Sequence, residues 1–347
     1  MQPCSRASQR RHNRLRYATD EESMQVRRAL AAITLGMAAA YAGAPLAQSY
    51  PAKPIRFVVG FTAGGASDIT SRIIGQKLTE HLGQPVIIDN RAGASGTIAG
   101  GIVARAPADG YTMLAGATSI LAINPALYAR LDYEPLRDFA PVSQTVSMPQ
   151  LLVVHPSVKA TNLKELLALA KAKPGELNYS SSGTGSSSHL AMELLKYMTG
   201  IDVVHVPFKG SGQAMPNLLA GQVQLVFDPM PSSLPHVKSG RLRAIAISTT
   251  TRAPAIPEVP TVAESGVPGY ESSLWYGVLL PARTPPAIVA RLNQTINAIL
   301  REPDVGERFA ALGAEPRGST GAEFGQYIAA EVSKWGKVIK AVGLRAD

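Results

Sequence analysis

The sequence predicts an α/β fold made of two doubly wound α/β domains with a central cleft. Three observations predict it. Short apolar runs alternate with amphipathic helical patterns along most of the chain, the order that gives parallel sheets covered by helices on both faces. About 300 residues follow a leader-like N-terminus in a chain of 347, more than one core usually supports. Two glycine-rich strand-to-helix turns, around Gly64-Gly65 and around Gly183-Thr184-Gly185, fall in different halves of the chain. The expected division is residues 50–150 plus 274–347 for one domain and 151–273 for the other.

Residues 1–47 read as a leader rather than as fold. Arg27 and Arg28 precede an apolar run over 29–42, too short for a permanent membrane anchor. Small residues follow, and cleavage is expected after Ala42 or Ala47. Residues 1–23 carry five arginines, an unusually long basic stretch, so translation is expected to start at Met24. The single cysteine, Cys4, lies in this leader. The processed chain then has no disulfide, no thiol nucleophile and no cysteine metal site. No cysteine follows the apolar run, so no lipid anchor is expected, and the reading is a soluble exported protein.

Residues 55–60 read as a strand, and 67–81 as a helix with Ile69, Ile73, Ile74 and Leu78 on one side and Gly83 as its stop. Strands are expected at 86–89 and 112–117, with a helix at 99–104 between them. An apolar run spans 151–155. A helix at 162–172 stops at Lys173-Pro174-Gly175, and a strand at 177–181 feeds a helix at 187–198. Strands at 223–228 and 243–248 precede a proline-rich connector over 253–268. Residues 275–281 read as extended. Thr284-Pro285-Pro286 opens a helix with a hydroxyl cap and an early proline, burying Ile288, Val289, Leu292, Ile296 and Ile299. A last helix buries Phe324, Ile328, Trp335 and Ile339.

Charge narrows the function classes. The chain carries 34 basic and 25 acidic residues, a net +9. Residues 1–47 hold seven Arg and three acidic groups, which leaves 27 minus 22, or +5, after processing. No run of five like charges remains, so a nucleic-acid partner is not expected.

The candidate chemistry lies in the turns. Gly60-Phe61-Thr62-Ala63-Gly64-Gly65-Ala66-Ser67-Asp68 joins a strand to a helix with no lysine. Paired glycines let successive N–H groups face one way, and the helix start adds free donors and partial positive charge, a setting for a carboxylate or phosphate. The same residues also fit an ordinary turn with Ser67 or Asp68 as cap. Neither G-x-x-x-x-G-K-[ST] nor G-x-G-x-x-G is present, which argues against nucleoside triphosphates and dinucleotides. The second turn, residues 180–189, adds hydroxyls, with Ser186 and His189 at the helix start. His189 reads as a histidine bonded to its own loop more readily than as a base for a serine. Asp228 ends a strand, where ligand contacts concentrate, and precedes a proline, where a turn would use it equally. Lys209 reads as solvated, and Trp275-Tyr276 as packing or cleft lining. No G-x-S-x-G, no H-E-x-x-H and no close His pair occurs, so neither a metal nor a cofactor is expected.

Over residues 50–340 the chain resembles a known family. The resemblance is carried by Tyr50-Pro51-Ala52-Lys53-Pro54-Ile55-Arg56, Gly64-Gly65-x-x-Asp68, Ala108-Asp109-Gly110-Tyr111-Thr112, Asn124-Pro125-x-Leu127-Tyr128, Asp138-Phe139-x-Pro141-Val142, Asn178-Tyr179-x-Ser181-x-Gly183-x-Gly185-Ser186 with His189, Pro207-Phe208-Lys209-Gly210 and Pro257-x-Val259-Pro260-Thr261. In these the chain is similar to the Bug proteins, TctC-like periplasmic solute-binding receptors of tripartite tricarboxylate transporters. The resemblance implies a periplasmic-binding-protein fold of type II closing on a small carboxylate, no enzymatic activity, a monomer, and membrane permease subunits as partners. It implies that the turn of Phe61, Thr62, Ala63, Gly64 and Gly65, with Ser67 and Asp68, holds a ligand carboxylate. Thr118, Ser119 and the loop of Gly183, Thr184, Gly185, Ser186 and His189 would complete that side, and Asp228 would meet an amino group. Ala63 stands where the family usually has proline, and Phe208 where it usually has tyrosine. Two other classes stay open on the residues alone: an enzyme acting on a small carboxylate through His189, Ser186 or Asp228, and an exported binding protein that feeds a sensor.

Overall fold

The computed structural model describes residues 50–345. Cys4, Met24, the apolar run over 29–42 and the cleavage positions Ala42 and Ala47 lie outside the described residues. The first elements are β1 (Ile55–Val59), α1 (Ala66–Leu82), β2 (Val86–Asn90), α2 (Thr97–Ala104) and β3 (Thr112–Ala117). Short helical turns then lead to β4 (Phe139–Val154). The middle of the chain supplies α3 (Leu163–Ala172), β5 (Asn178–Ser181), α4 (Ser187–Thr199), β6 (Val204–Pro207), α5 (Ser211–Leu219), β7 (Leu225–Pro229), α6 (Met230–Lys238) and β8 (Arg243–Ile247). The last stretch is β9 (Ser273–Pro281), α7 (Pro286–Ile299), α8 (Pro303–Ala311), β10 (Glu315–Pro316) and α9 (Gly321–Val342).

The strand order is β2-β1-β3-β9-β4-β7-β5-β6, with β8 and β10 each pairing with β4. β1 is parallel to β2 and β3, and β5 is parallel to β6 and β7, as strand-helix alternation requires. The expectation of parallel pairing fails at the centre. β4 and β9 are antiparallel to each other, and β9 to β3 and β4 to β7, because these two strands carry the chain out and back. β4 is also longer than the expected apolar run. Its first part pairs with β9 from Phe139 to Pro149, and its second part pairs with β7 from Gln150 to Val154.

Strand alternation assigns the cores. In the middle of the chain, Leu152, Val154, Leu225 and Phe227 face one apolar cluster with Leu166, Met192 and Leu195 of α3 and α4. Leu151, Val153 and Val226 face the opposite one, with Met215 and Leu218 of α5 and Leu234 of α6. A separate cluster packs β1, β3, β9, α1, α7 and α9, and includes the expected Leu292, Ile296, Ile299, Phe324, Ile328, Trp335 and Ile339. Trp275 and Trp335 are buried in it, and both indole N–H groups donate to Glu331 Oε2, at 2.9 and 3.2 Å.

Caps fix several helix ends. Asn162 and Ser186 accept from the backbone three residues on, and Thr320 with Glu323 forms a reciprocal capping box before α9. The hydroxyl cap expected at Thr284 does not form. Pro285 is the residue that flanks α7, so Thr284 lies one residue too early and donates to Pro281 O at 2.7 Å. No helix among the described residues is long and apolar enough to cross a membrane.

Candidate functional site

The turn after β1 closes on itself through Asp68. Its Oδ2 accepts from the Gly64 N–H and from Arg72 Nε, both at 2.9 Å, and its Oδ1 accepts from Asn90 Nδ2 at 3.1 Å. Asn90 Nδ2 also donates to Phe61 O at 2.9 Å. Burial works to raise the Asp68 pKa, but the bonds from Arg72, Gly64 and Asn90 outweigh it and hold the carboxyl below its ordinary value. Gly64 makes this possible with φ of 78°, a backbone angle costly for any side chain bearing a Cβ. Asp68 therefore braces the turn from behind. It occupies the Gly64 N–H that was expected to grip a ligand carboxylate.

In front of the turn lies a small cavity of about 20 Å³, room for one water molecule. Phe61, Gly65, Ala66 and Ser67 form one wall, and Ala117, Ser119, Leu274 and Tyr276 a second. Ser182, Ser187, Ser211 and Pro229 complete it from the middle of the chain. Five serines thus line a space into which no lysine, arginine or histidine projects. Ser67 is 3 % exposed, and its Oγ has no hydrogen-bond partner. Thr62 Oγ1, on the same turn, also has none. Burying a hydroxyl unpaired is costly, and Ser67 sits at the start of α1, where the first N–H groups are free as well. An oxyanion placed there would satisfy these groups without a cation.

The second turn behaves differently from its reading in sequence. Gly183 N donates to Ser181 Oγ at 3.1 Å, Gly185 N to His189 Nδ1 at 3.0 Å, and Ser186 N to Gly183 O at 3.0 Å. Ser182 N donates to Ser188 Oγ at 2.9 Å. The loop's own side chains consume the donors expected for a carboxylate, so Gly183, Gly185 and Ser186 shape the loop rather than face the cavity. The Thr184 carbonyl accepts from Ser95 Oγ, which ties this loop to the segment before α2. Ser182 and Ser187 are the residues that reach the space. Thr118 is likewise occupied: its Oγ1 accepts from Trp275 N at 3.0 Å and donates to Trp275 O at 3.2 Å. Ser119 does line the cavity and donates to Ser95 O at 3.2 Å.

His189 is 4 % exposed and stacks on His205 with ring centres 4.0 Å apart. Burial pushes its pKa down to about 4, so the ring is neutral. Because Nδ1 accepts from Gly185 N–H, the proton resides on Nε2. Ser186 Oγ instead receives the His189 backbone N–H, at 3.2 Å. The Ser186–His189 pair of the enzyme reading therefore does not form; the serine–imidazole contact at this loop is Ser181 Oγ with His205 Nε2, at 2.6 Å.

Asp228 is 2 % exposed, beside Pro229 and Ser211 of the cavity wall. Burial pushes its pKa up to about 6, against hydrogen bonds from Ser211 and Ser232 that lower it. Its charge also adds to the burial that raises the Tyr276 hydroxyl. Lys209 is exposed and its N–H donates to Gln213, so it takes no part. The sequence reading missed Ser211, whose signal was present as a serine between two glycines at a helix start. Ser182 and Ser187 were read only as part of the hydroxyl-bearing turn, and Tyr276 as packing or cleft lining; all three line the cavity.

Residues 70–344 match the family described as the tripartite tricarboxylate transporter family receptor, TctC. Protein BugT of Bordetella pertussis is 40 % identical over 324 residues, 93 % of this chain and 99 % of that one. The R. palustris protein Rpa4515, solved with adipate, superposes with a TM-score of 0.84 at 40 % identity, covering 85 % of this chain and 99 % of the other. MatC from Rhodopseudomonas palustris, with bound malate, gives a TM-score of 0.80 at 34 % identity, covering 84 % and 100 %. The fold is that of the periplasmic solute-binding proteins of this type. The chain belongs to the tripartite tricarboxylate transporter receptor family, one of solute-binding receptors and not of enzymes.

Proposed function

We propose that this member of the tripartite tricarboxylate transporter receptor family is an exported, monomeric receptor that closes two lobes on a small carboxylate and delivers it to membrane permease subunits. The lobes are residues 50–150 plus 274–347, and 151–273. One observation carries the reading: the unpartnered Ser67 hydroxyl, at the start of α1, faces a cavity walled from both sets of residues. The adipate and malate bound by its relatives support a carboxylate as ligand. The ligand carboxylate takes Ser67 Oγ, Thr62 Oγ1 and the first free N–H groups of α1. Asp228, held by serine hydroxyls and not by a cation, accepts from a hydroxyl or amino group elsewhere on the ligand. A cavity of about 20 Å³ admits no such molecule, so the lobes must part to take it in. The ligand then shifts the open–closed equilibrium by its preference for the closed form.

Thermal denaturation against mono-, di- and tricarboxylates and acidic amino acids tests the proposal. A ligand at about 100-fold its Kd adds about 2.7 kcal/mol of native stability, and at roughly 2–4 °C per kcal/mol raises the midpoint by about 5–10 °C. A midpoint unmoved by every carboxylate tested would overturn the reading.

A further inference from the structure

We infer that Gly212 is a positioning residue for closure: its bare Cα lets the start of α5 seat on the Thr62–Ala63 backbone and carry Ser211 into the cavity. This rests on the two-lobed receptor reading above. Gly210, Ser211 and Gly212 belong to one proposed lobe, and Thr62 and Ala63 to the other. A methyl group built on Gly212 would overlap the Ala63 carbonyl oxygen outright and stand 3.1 Å from Thr62 Oγ1. On Gly210 it would stand 2.8 Å from Thr62 N. The obstacles at these points include main-chain atoms, so no side-chain rotation relieves them. Ser211, between the two glycines, lines the cavity, and its hydroxyl works to lower the pKa of the buried Asp228. The close approach of two backbones is thus what places the serine.

Gly212 also lies inside α5, and its φ is not in the left-handed region. Alanine therefore fits its own backbone and is the better helix former. The clash arises only when the two segments meet. Gly212→Ala should leave each lobe folded and penalise the closed form alone. Because apparent affinity scales with the closed fraction, weaker binding follows with no ligand contact removed.

The test uses the exported chain with adipate, malate, glutamate and benzoate as probes, read by titration calorimetry, by thermal denaturation without probe and by small-angle X-ray scattering. Gly306→Ala, a helix position with open space at its Cβ, is the control. The expected result is a Gly212→Ala melting point at or above wild type, an affinity at least tenfold weaker for each probe that wild type binds, and loss of the probe-induced contraction. Gly306→Ala should match wild type in all three. Wild-type affinity and contraction in Gly212→Ala would overturn the inference while leaving the receptor reading intact. A Gly212→Ala chain that does not fold would overturn it too, since the contact would then be needed for folding. A wild-type chain that binds none of the probes would remove the receptor reading and this inference with it.

Discussion

Asp228 gives the fold a pH dependence whose size follows from its surroundings. The side chain is 2 % exposed and is held by Ser211 and Ser232 hydroxyls. Burial disfavours its charged form and raises its pKa from 3.8 to about 6. A carboxyl with a raised native pKa stabilises the fold fully below its unfolded value. That contribution is lost as pH climbs through the native value. The rise from 3.8 to about 6 converts, at about 1.4 kcal/mol for each pH unit, to about 3 kcal/mol. Asp228→Asn keeps the shape and removes the titration. Urea unfolding of both proteins without ligand, at intervals from pH 4 to pH 8, isolates the effect, because every other titrating group is common to the two. The asparagine variant should gain on wild type by up to about 3 kcal/mol between pH 4 and pH 7, with most of the change below pH 6.5. A stability difference that stays flat across this range would show that Asp228 is charged throughout, and would refute the reasoning.

Three further outcomes follow. Ser67→Ala removes an unpaired buried hydroxyl; it should leave the ligand-free melting point unchanged or slightly higher while weakening carboxylate binding by about 1 kcal/mol, read by calorimetry. Asp68→Ala strips the turn of its brace and leaves Gly64 N–H, Arg72 and Asn90 without their acceptor; a loss of about 2–3 kcal/mol in urea unfolding is expected, with ligand response lost as the turn loosens. Glu331→Ala leaves two buried indole N–H groups unpaired; about 2–4 kcal/mol of stability should go, with affinity kept, because Glu331 does not line the cavity.

Elements with a clean period were legible in the sequence. β3 was read at its observed bounds, and α1 and α4 within a residue or two, since apolar spacing and a following glycine mark them. The helices α5 and α6 were not read. Pro216 and Pro235 lie inside them and look like breakers, yet in helices of nine residues a single missing donor is tolerated. β6 ends in Pro207 at the edge of the sheet, where no further strand needs that donor. The first half of β4 is rich in polar residues such as Ser143, Gln144, Thr145 and Ser147 and carries prolines at 141 and 149, and its pairing partner lies more than a hundred residues away. In the site, residue type was legible and direction only partly so. His189 bonds its own loop, as its residues read, and Asp68 turns back onto the turn it follows. Ser67, which local sequence could equally assign to a cap, is the residue left facing the cavity unpaired.

The passage of β4 and β9 side by side has a mechanical consequence. A single connecting strand could twist freely about its own length. Two strands hydrogen-bonded along their run, with Gln150 Nε2 pinned to Ser272 Oγ at 3.2 Å where they leave the first core, form a strap. A strap of this kind bends across its flat face and resists torsion. In the closure proposed above, the two proposed lobes would then swing like a door leaf on paired pins, and each swing would return Thr62 and Ser211 to the same mutual alignment.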